Sequence, residues 1–177
     1  MAKKKKNHAS AATAALQELE SAGIAYTTYT YEHNADHMAD GFGLEGAAQL
    51  DVPADRIYKT LLVDVGEKPG ERMVTVIVPV TCHVNLKAVA STFSAKKAHM
   101  ADPQMAQRST GYVVGGISPF GHKNPHETVL DTSAKQHTTI LVSGGKRGLS
   151  IGVKPIDLIG QLNAKITEVA DRGSHPR

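Results

Sequence analysis

The sequence contains one cysteine, Cys82, and no tryptophan. A single thiol excludes an internal disulfide and leaves too few ligands for a cysteine-based zinc site, so a reducing cytoplasm is the expected location. No stretch approaches the roughly 20 consecutive apolar residues that a membrane-spanning helix needs. No apolar secretory core follows the N-terminal lysines either. We therefore expect a soluble, unexported protein.

Length and charge give weaker indications. The 177 residues, 41% of them hydrophobic, fit one ordinary domain with a packed core. Part of the formal charge of +3 lies in the run Lys3 to Lys6 and in Lys146 and Arg147. Such a run is more typical of a solvated tail than of a specific polyanion site. We predict a lysine-rich tail over 1–7, a domain over 8–170 and a second tail over 171–177.

Hydrophobic periodicity and turn residues predict an α/β domain. Strand hairpins are too frequent for a strictly alternating parallel sheet, so we predict one mixed β-sheet surrounded by helices. Capping residues such as Asn85 and Asp102 mark helix starts. The predicted helices cover 8–22, 41–50, 85–93, a segment from 102 and 155–162. The predicted strands cover 25–31, 57–65, 73–80, 111–115, 127–131, 138–142, 149–153 and a last strand ending at Val169.

Lys59 is an unusual residue for the strand in which it is predicted. Strand alternation places it on the same face as the apolar Ile57, Leu61 and Val63. An ammonium group on such a face either extends to water or meets a negative group supplied by a ligand. The pattern alone favours extension to water and leaves the ligand site as the alternative.

Two glycine-rich segments are candidates for close backbone approach to a ligand. The segment 111–121 contains Gly115, Gly116 and Ser118, and the segment 143–148 reads Ser-Gly-Gly-Lys-Arg-Gly. Backbone N–H groups in such segments can bind phosphate or an oxyanion. A tight loop without a ligand explains the first segment almost as well, and a plain basic hairpin turn explains the second. The second segment is not a Walker motif, because the Lys-Ser/Thr ending is absent.

The residue types needed for a catalytic triad or a metal centre are present without the required patterns. Ser118, Ser143 and Cys82 lie outside any Gly-x-Ser-x-Gly elbow. Glu32 and Asp36 accompany His33 and His37, and His122 and His126 form a second pair, but the His-Glu-x-x-His pattern is absent. We expect loop histidines, no metal and no cofactor.

Three runs together carry a resemblance that none carries alone: 57–63, 109–119 and 143–149. With these runs in this order, the chain resembles the YbaK family of free-standing aminoacyl-tRNA deacylases, which are related to the editing domain of bacterial prolyl-tRNA synthetase. The resemblance extends from the first helix to Val169. It implies a single mixed α/β domain whose pocket receives the aminoacylated end of tRNA.

The resemblance also implies roles for individual residues. Lys59 matches the family's essential lysine and would anchor the substrate near its terminal phosphate, or its ribose and carbonyl. Backbone groups of Gly115 and Gly116 would bind the reacting ester. In the cysteine-specific branch the substrate's own thiol is the nucleophile, so no enzyme nucleophile is needed. The implied substrate-binding residues are Tyr31, Phe42, Thr60, Ser118, Ser143, Gly144, Gly145, Lys146 and Arg147.

The resemblance favours removal of cysteine from mischarged tRNA(Pro), with the tRNA acceptor end as partner and prolyl-tRNA synthetase as a candidate second partner. Removal of alanine from tRNA(Pro) through water stays open, because the motifs fit both branches. A non-catalytic module that binds tRNA or a synthetase is a second alternative. A metal-dependent hydrolase that uses the histidines is a third.

Overall fold

The computed structural model describes residues 3–6, 13–32 and 47–173. The implied pocket residue Phe42, the histidines His33 and His37 and the start of the first predicted helix lie outside these residues. Residues 47–50 are helical, so the structure describes only the end of the predicted helix 41–50. Within the described ranges, no helix is long and apolar enough to cross a bilayer.

Four α-helices have their full bounds described. Their caps explain where they begin, since Thr13, Asn85 and Asp102 each accept a hydrogen bond from the backbone N–H three residues later. Gly23 ends the first helix in the left-handed conformation, at φ 68°. The helices are α1 (Ala14–Ala22), α2 (Leu86–Thr92), α3 (Pro103–Thr110) and α4 (Pro155–Leu162), with short 3-10 helices at Ala54–Arg56 and Thr132–Gln136.

The described strands form three sheets. Their bounds are β1 (Lys3–Lys6), β2 (Thr27–Thr30), β3 (Tyr58–Asp64), β4 (Met73–Pro79), β5 (His83–Val84), β6 (His99–Met100), β7 (Thr128–Asp131), β8 (Ile140–Lys146), β9 (Leu149–Val153), β10 (Lys165–Thr167) and β11 (Ala170–Asp171). The first sheet has the order β1-β2-β9-β8 and is antiparallel, and β5 pairs with β11 in a small third sheet.

The second sheet is the predicted mixed sheet. It has the order β10-β7-β4-β3-β6, in which β3 is antiparallel to both neighbours while β7 is parallel to β4 and β10. One parallel bridge, between Ile57 and Leu141, connects the start of β3 with β8 in the first sheet. The predicted mixed α/β fold is therefore confirmed, with the strands divided among sheets.

Apolar residues cover both faces of the mixed sheet, which explains the nearly continuous hydrophobic run of β4. Tyr58 and Ile77 belong to one core cluster, which also takes in α1 and α4. Val76 and Val78 alternate with Ile77 along β4 and belong to a second cluster, which also takes in α2. The two faces are therefore distinguishable residue by residue.

Three segments differ from the sequence-based expectations. The predicted strand 111–115 is wrong, because Gly111 ends α3 with φ 84° and an irregular loop follows. The predicted turn 143–148 is largely strand, because β8 continues to Lys146 through a bulge at Gly144 and Gly145. The backbone of Lys3–Lys6, expected in a tail, pairs with β2 as an edge strand.

Candidate functional site

Lys59 lies on the second-cluster face of the mixed sheet, opposite Val78 in β4. It is partly buried, and burial lowers the pKa of its ammonium group, while nearby Cys82 acts in the opposite direction. No ion pair of Lys59 is found among the described residues. A partly desolvated ammonium without an anionic neighbour is suited to binding a negative group of a ligand.

The bridge between the two sheets brings a second candidate close to Lys59. Ile57 and Leu141 are aligned in parallel, and Lys59 and Ser143 each lie two residues further along their strands. Since alternate residues of a strand share a face, Lys59 and Ser143 point to the same side. The strands then continue into different sheets, so these two polar residues lie where the sheets separate.

A row of hydroxyl groups continues from Ser143 across the first sheet. Ser143 is opposite Ser150, and Ser150 is opposite Tyr29, so the three side chains share one face. The ring of Tyr29 lies over Gly152, where an added Cβ would be 3.2 Å from Tyr29 Cε2. Sequence reasoning missed Tyr29 and Ser150, although strand alternation with Tyr31 was a usable signal for Tyr29.

Tyr31 is joined to the second glycine-rich segment. Its backbone N–H donates to the Gly148 carbonyl over 2.9 Å, just beyond the paired residues Thr30 and Leu149. Alternation along the chain places Tyr31 on the side of Tyr29. The structure therefore brings Tyr31, Ser143 and Lys59 to one side of connected strands.

Thr60 is not on that side. It is paired with Ile77, whose side chain belongs to the first core cluster, on the face opposite Lys59. The residue is 8% exposed, and its hydroxyl has no hydrogen-bond partner within the described part of the chain. The structure therefore does not bring the Thr60 side chain together with Lys59.

The first glycine-rich segment, residues 111–121 and hereafter the glycine loop, contains a tight turn. Gly116 N–H donates to the Val113 carbonyl over 2.9 Å, and Gly115 has φ +88°, a conformation that favours glycine. The amide of Gly116 is thus already used within the turn. For Gly115 N–H no hydrogen bond is found in the described ranges, so this amide is available to a ligand.

Ser118 supports the glycine loop from within. It is fully buried, and its hydroxyl accepts a hydrogen bond from Phe120 N–H over 3.3 Å. The hydroxyl of Tyr112 donates to the Phe120 carbonyl over 2.6 Å. These contacts give the Ser118 side chain a structural position instead of the implied contact with substrate.

The second glycine-rich segment, residues 143–148 and hereafter the basic hairpin, packs directly on the glycine loop. A Cβ added to Gly116 would lie 2.9 Å from Lys146 Cα, so the two backbones are in contact. Arg147 donates from Nε and Nη2 to the Val114 carbonyl over 3.0 and 2.8 Å. The Arg147 guanidinium therefore joins the two segments, whereas Lys146 is exposed.

Gly144 and Gly145 form the bulge that bends the basic hairpin. The Gly145 N–H donates to Ser143 Oγ over 3.2 Å, and Gly145 has φ +106°. Ser143 is therefore held by its own turn with its hydroxyl next to the separating strands. The arrangement combines the partly buried cation of Lys59, several hydroxyls and the unengaged backbone amide of Gly115.

The histidines form no metal centre in the described residues, where no group of three or more His, Cys, Asp or Glu side chains converges. His122 and His126 instead contact each other, with 2.9 Å between their Nδ1 atoms. Burial lowers the pKa of both histidines, to about 4 for His126. They are therefore neutral at physiological pH.

Two surface cavities lined by described residues lie away from Lys59. One, of about 510 Å³, lies between α2 and β10, and the other, of about 590 Å³, includes His126 and the end of α4. Small residues, Ile166 and Lys165 line the first cavity, and the second mixes apolar residues with His126, Glu127 and Lys165. These two cavities and the polar groups around Lys59 thus lie at different places on the molecule. The Lys59 face is the stronger candidate, because it combines a partly buried cation with convergent polar groups.

Comparison with known proteins gives consistent results. Residues 44–160 match the family described as the aminoacyl-tRNA editing domain. The chain is 33% identical over 173 residues to the candidate Cys-tRNA(Pro)/Cys-tRNA(Cys) deacylase EbsC of Enterococcus faecalis, covering 97% of this chain and 99% of that protein.

Solved structures show the same fold at low identity. A candidate trans-editing enzyme for prolyl-tRNA synthetase has a TM-score of 0.75 at 20% identity, covering 93% of this chain and 99% of that chain. A structure described as a hypothetical protein also has a TM-score of 0.75 at 20% identity, covering 88% and 97%.

Proposed function

Since this chain belongs to the aminoacyl-tRNA editing domain family, we propose that it removes cysteine mischarged onto tRNA(Pro). The general activity, cleavage of the ester between an amino acid and tRNA, follows from the family. The choice of cysteine is supported by the name of the relative that is 33% identical over nearly the full length of both chains. The site is assigned from the position of Lys59. This lysine is partly buried and lies beside Ser143 on the neighbouring strand, where two sheets separate.

The proposed reaction uses the thiol of the bound cysteine as nucleophile. Its sulfur attacks the ester carbonyl carbon, a carbon–sulfur bond forms, and the bond from that carbon to the ribose oxygen breaks. The products are a cyclic cysteine thiolactone and deacylated tRNA, and the thiol proton ends on the ribose oxygen. A free thiol has a pKa of about 8.5, so a nearby cation raises the thiolate fraction at neutral pH.

The site residues have separate tasks in this reaction. Lys59 binds the negative charge of the tRNA end or of the reacting centre, where low exposure strengthens the interaction. The Gly115 amide, rather than the engaged amide of Gly116, donates to the developing oxyanion. Holding the thiol beside the carbonyl supplies most of the remaining rate advantage.

The tRNA end is bound by polar groups on the same side. Tyr31 and Ser143 line the approach to Lys59, and the exposed Lys146 is available to a phosphate. No established RNA-binding module is recognisable in the sequence, so contacts are restricted to the acceptor end or are shared with prolyl-tRNA synthetase.

A deacylation assay with cysteinyl-tRNA(Pro) tests the proposal. Lys59→Ala is expected to lower kcat/KM by at least about 100-fold, which is typical of removing a preorganised electrostatic group. Cys82→Ala tests the substrate-thiol mechanism and is expected to retain activity, because the nucleophile arrives with the substrate. Lys96→Ala removes a lysine whose side chain is 92% exposed and serves as the matched control.

Substrate comparison separates the mechanisms. Cysteinyl-tRNA should be cleaved far faster than seryl- or alanyl-tRNA if the thiol attacks. Equal rates for cysteinyl- and alanyl-tRNA would instead indicate water as nucleophile. Wild-type rates in the Lys59→Ala variant would remove the lysine from the site, and binding of tRNA without any release would leave a non-catalytic module.

A further inference from the structure

A chain of hydrogen-bonded side chains ends on the glycine loop and has no part in the proposed chemistry. Ser109 Oγ lies 2.7 Å from His126 Nε2, and the two histidine Nδ1 atoms are 2.9 Å apart. His122 Nε2 lies 2.6 Å from the Ser118 carbonyl oxygen. We propose that this chain positions the glycine loop for ester cleavage and that His122 is a positioning residue. The proposal rests on the proposed deacylase function.

The hydrogen bonds require one arrangement of protons when both rings are neutral. The Ser118 carbonyl only accepts, so His122 Nε2 carries the hydrogen and its Nδ1 accepts from His126 Nδ1–H. His126 Nε2 is then the acceptor for the Ser109 hydroxyl. Adding one proton is compatible with all contacts, because His126 can then donate to Ser109 from Nε2. Adding a second proton places two N–H groups against each other over 2.9 Å, which breaks the hydrogen bond between the two histidines.

The hydrogen-bonded side chains connect α3 to Ser118, a part of the glycine loop for which no direct hydrogen bond to α3 is found among the described residues. Just beyond the loop, the backbone N–H groups of Lys123 and Asn124 donate to the carbonyls of Thr110 and Ser109. Ser109 lies in the last turn of α3. Arg147 and Gln107 hold Val114 at the start of the loop. Ser118, further along, is held through its carbonyl by His122. Gly115 lies between these two attachments, so removing either one leaves its amide less well directed.

The surroundings of His122 keep it neutral. The ring of Tyr112 packs against it edge-on, with centroids 6.1 Å apart. Glu18 of α1 accepts from Gly121 N–H over 3.2 Å through Oε1, its buried Oε2 has no hydrogen-bond partner among the described residues, and Lys123 is exposed. Burial lowers the pKa of His122, and the hydrogen bond to Ser118 opposes this shift.

The surroundings of His126 also favour its neutral form. Glu127 and Lys165 line the cavity of about 590 Å³ that His126 also lines. Glu127 forms an ion pair with Arg72 over 2.9 Å. Burial lowers the pKa of His126 from 6.5 to about 4, and repulsion from a charged His122 adds to the shift. Protonation of the pair is therefore disfavoured at neutral pH and increases as pH falls from 6.5 towards 4.

Two variants at one position test the proposal. His122→Leu removes both contacts and should lower kcat by on the order of 10-fold at pH 7.5 with little change in KM, because a misplaced group reduces rate more than binding. His122→Gln keeps a donor in the place of Nε2 but cannot titrate. It should retain most of the wild-type kcat at pH 7.5 and at pH 6, and exceed the wild type increasingly as pH falls towards 4, where the second proton binds the wild-type pair.

The ratio of variant to wild-type kcat at each pH cancels titration of the substrate thiol. His99→Gln is the control, because it removes a half-exposed histidine that lies beside Asp64 and outside the site. Its ratio to wild type should be independent of pH. An unchanged kcat in His122→Leu, or a pH-independent ratio in His122→Gln, would overturn the proposal.

Amide hydrogen exchange distinguishes failure of this proposal from failure of the proposed function. In the wild type, protection of residues 113–121 should decrease between pH 6 and pH 4 relative to the buried amides of β4. In His122→Gln the decrease should disappear. If the wild-type protein cleaves none of cysteinyl-, seryl- and alanyl-tRNA, the proposed function is refuted. The exchange result still decides whether the hydrogen-bonded side chains hold the glycine loop in place. Equal loop protection in wild type and His122→Leu would contradict the positioning role.

Discussion

At the scale of single residues, the glycines of the site allow close packing as well as ligand approach. A Cβ on Gly121 would lie 2.5 Å from Ala14 C, and one on Gly145 would lie 3.0 Å from Thr13 Cβ. Both glycine-rich segments therefore rest on the beginning of α1. Gly116 brings the same segments into contact with each other. Several site glycines thus have a packing reason, whereas Gly115 has an amide for which no hydrogen bond is found in the described ranges.

Gly116→Ala tests this packing. The added methyl would meet backbone atoms of Lys146 and Arg147 at about 3 Å, and backbone cannot rotate away as a side chain can. We expect the free energy of unfolding to fall by about 1–3 kcal/mol, typical of overpacking, together with reduced deacylation. Urea denaturation measures the first effect.

The matched control is Gly160→Ala in α4, where an added Cβ has nothing within 4 Å among the described residues. Alanine is favoured over glycine in a helix interior, so this variant should gain about 0.5–1 kcal/mol. Equal stability of the two variants would show that the loop and the hairpin do not constrain each other.

At the scale of elements, Asp131 joins the end of β7 to the last strand. This carboxylate is fully buried and accepts hydrogen bonds from Val169 N–H and Ala170 N–H, each over 2.9 Å, and from Ser133. Arg172 pairs with it over 3.0 Å. Burial alone would raise the pKa of Asp131, but these hydrogen bonds outweigh it and hold the pKa below its usual value of 3.8.

Asp131→Asn should destabilise the protein by roughly 2–4 kcal/mol, because an amide cannot accept every donor and leaves Arg172 unpaired. The depressed pKa means that the stabilisation is present above pH 3.8 and disappears as pH falls through the folded value. Denaturation at pH 7 and pH 3 should therefore show a smaller stability difference between variant and wild type in acid. A difference independent of pH would contradict the ionised network.

The sequence predicts most elements, since their signals are local. The cap of α2 at Asn85, the start of α4 at Pro155 and the hairpin of β3 and β4 are confirmed. The predicted strand 111–115 fails because its aromatic and β-branched residues, Tyr112 and Val113, lie in a loop whose shape is set by distant partners. The bulge in β8 is likewise set by pairing that a short pattern does not show.

At the scale of the whole molecule, the site exists because strands from distant parts of the chain meet. Lys59 could be selected from the sequence, since a cation in an apolar strand is a local anomaly. Its neighbours Ser143, Ser150 and Tyr29 are fixed by the bridge at Ile57 and by sheet register. Register depends on tertiary pairing, so the composition of this face could not be derived from periodicity.

The first sheet places the backbone of Lys3–Lys6 at its edge, next to β2 and at the opposite edge from β8. The backbone of Lys3–Lys6 pairs with β2 in a register that sets Lys4 opposite Tyr29. Because the formal net charge is only +3, we expect a local basic run to contribute a large share of the electrostatic attraction to tRNA. Replacing Lys3 to Lys6 by threonine, which favours strands, removes the charges while keeping the strand.

We expect this replacement to weaken tRNA binding at low salt. The dependence of log K on log salt should flatten by about 0.7 for each single-strand phosphate that the protein no longer neutralises. The kcat at saturating tRNA should not change, because Lys59 and the glycine loop are untouched. Lys96→Thr with Lys97→Thr removes two exposed charges that precede β6, an edge strand of the second sheet, and is the comparison. If the slope per removed charge is the same in both variants, binding follows net charge and the edge strand has no special position towards tRNA.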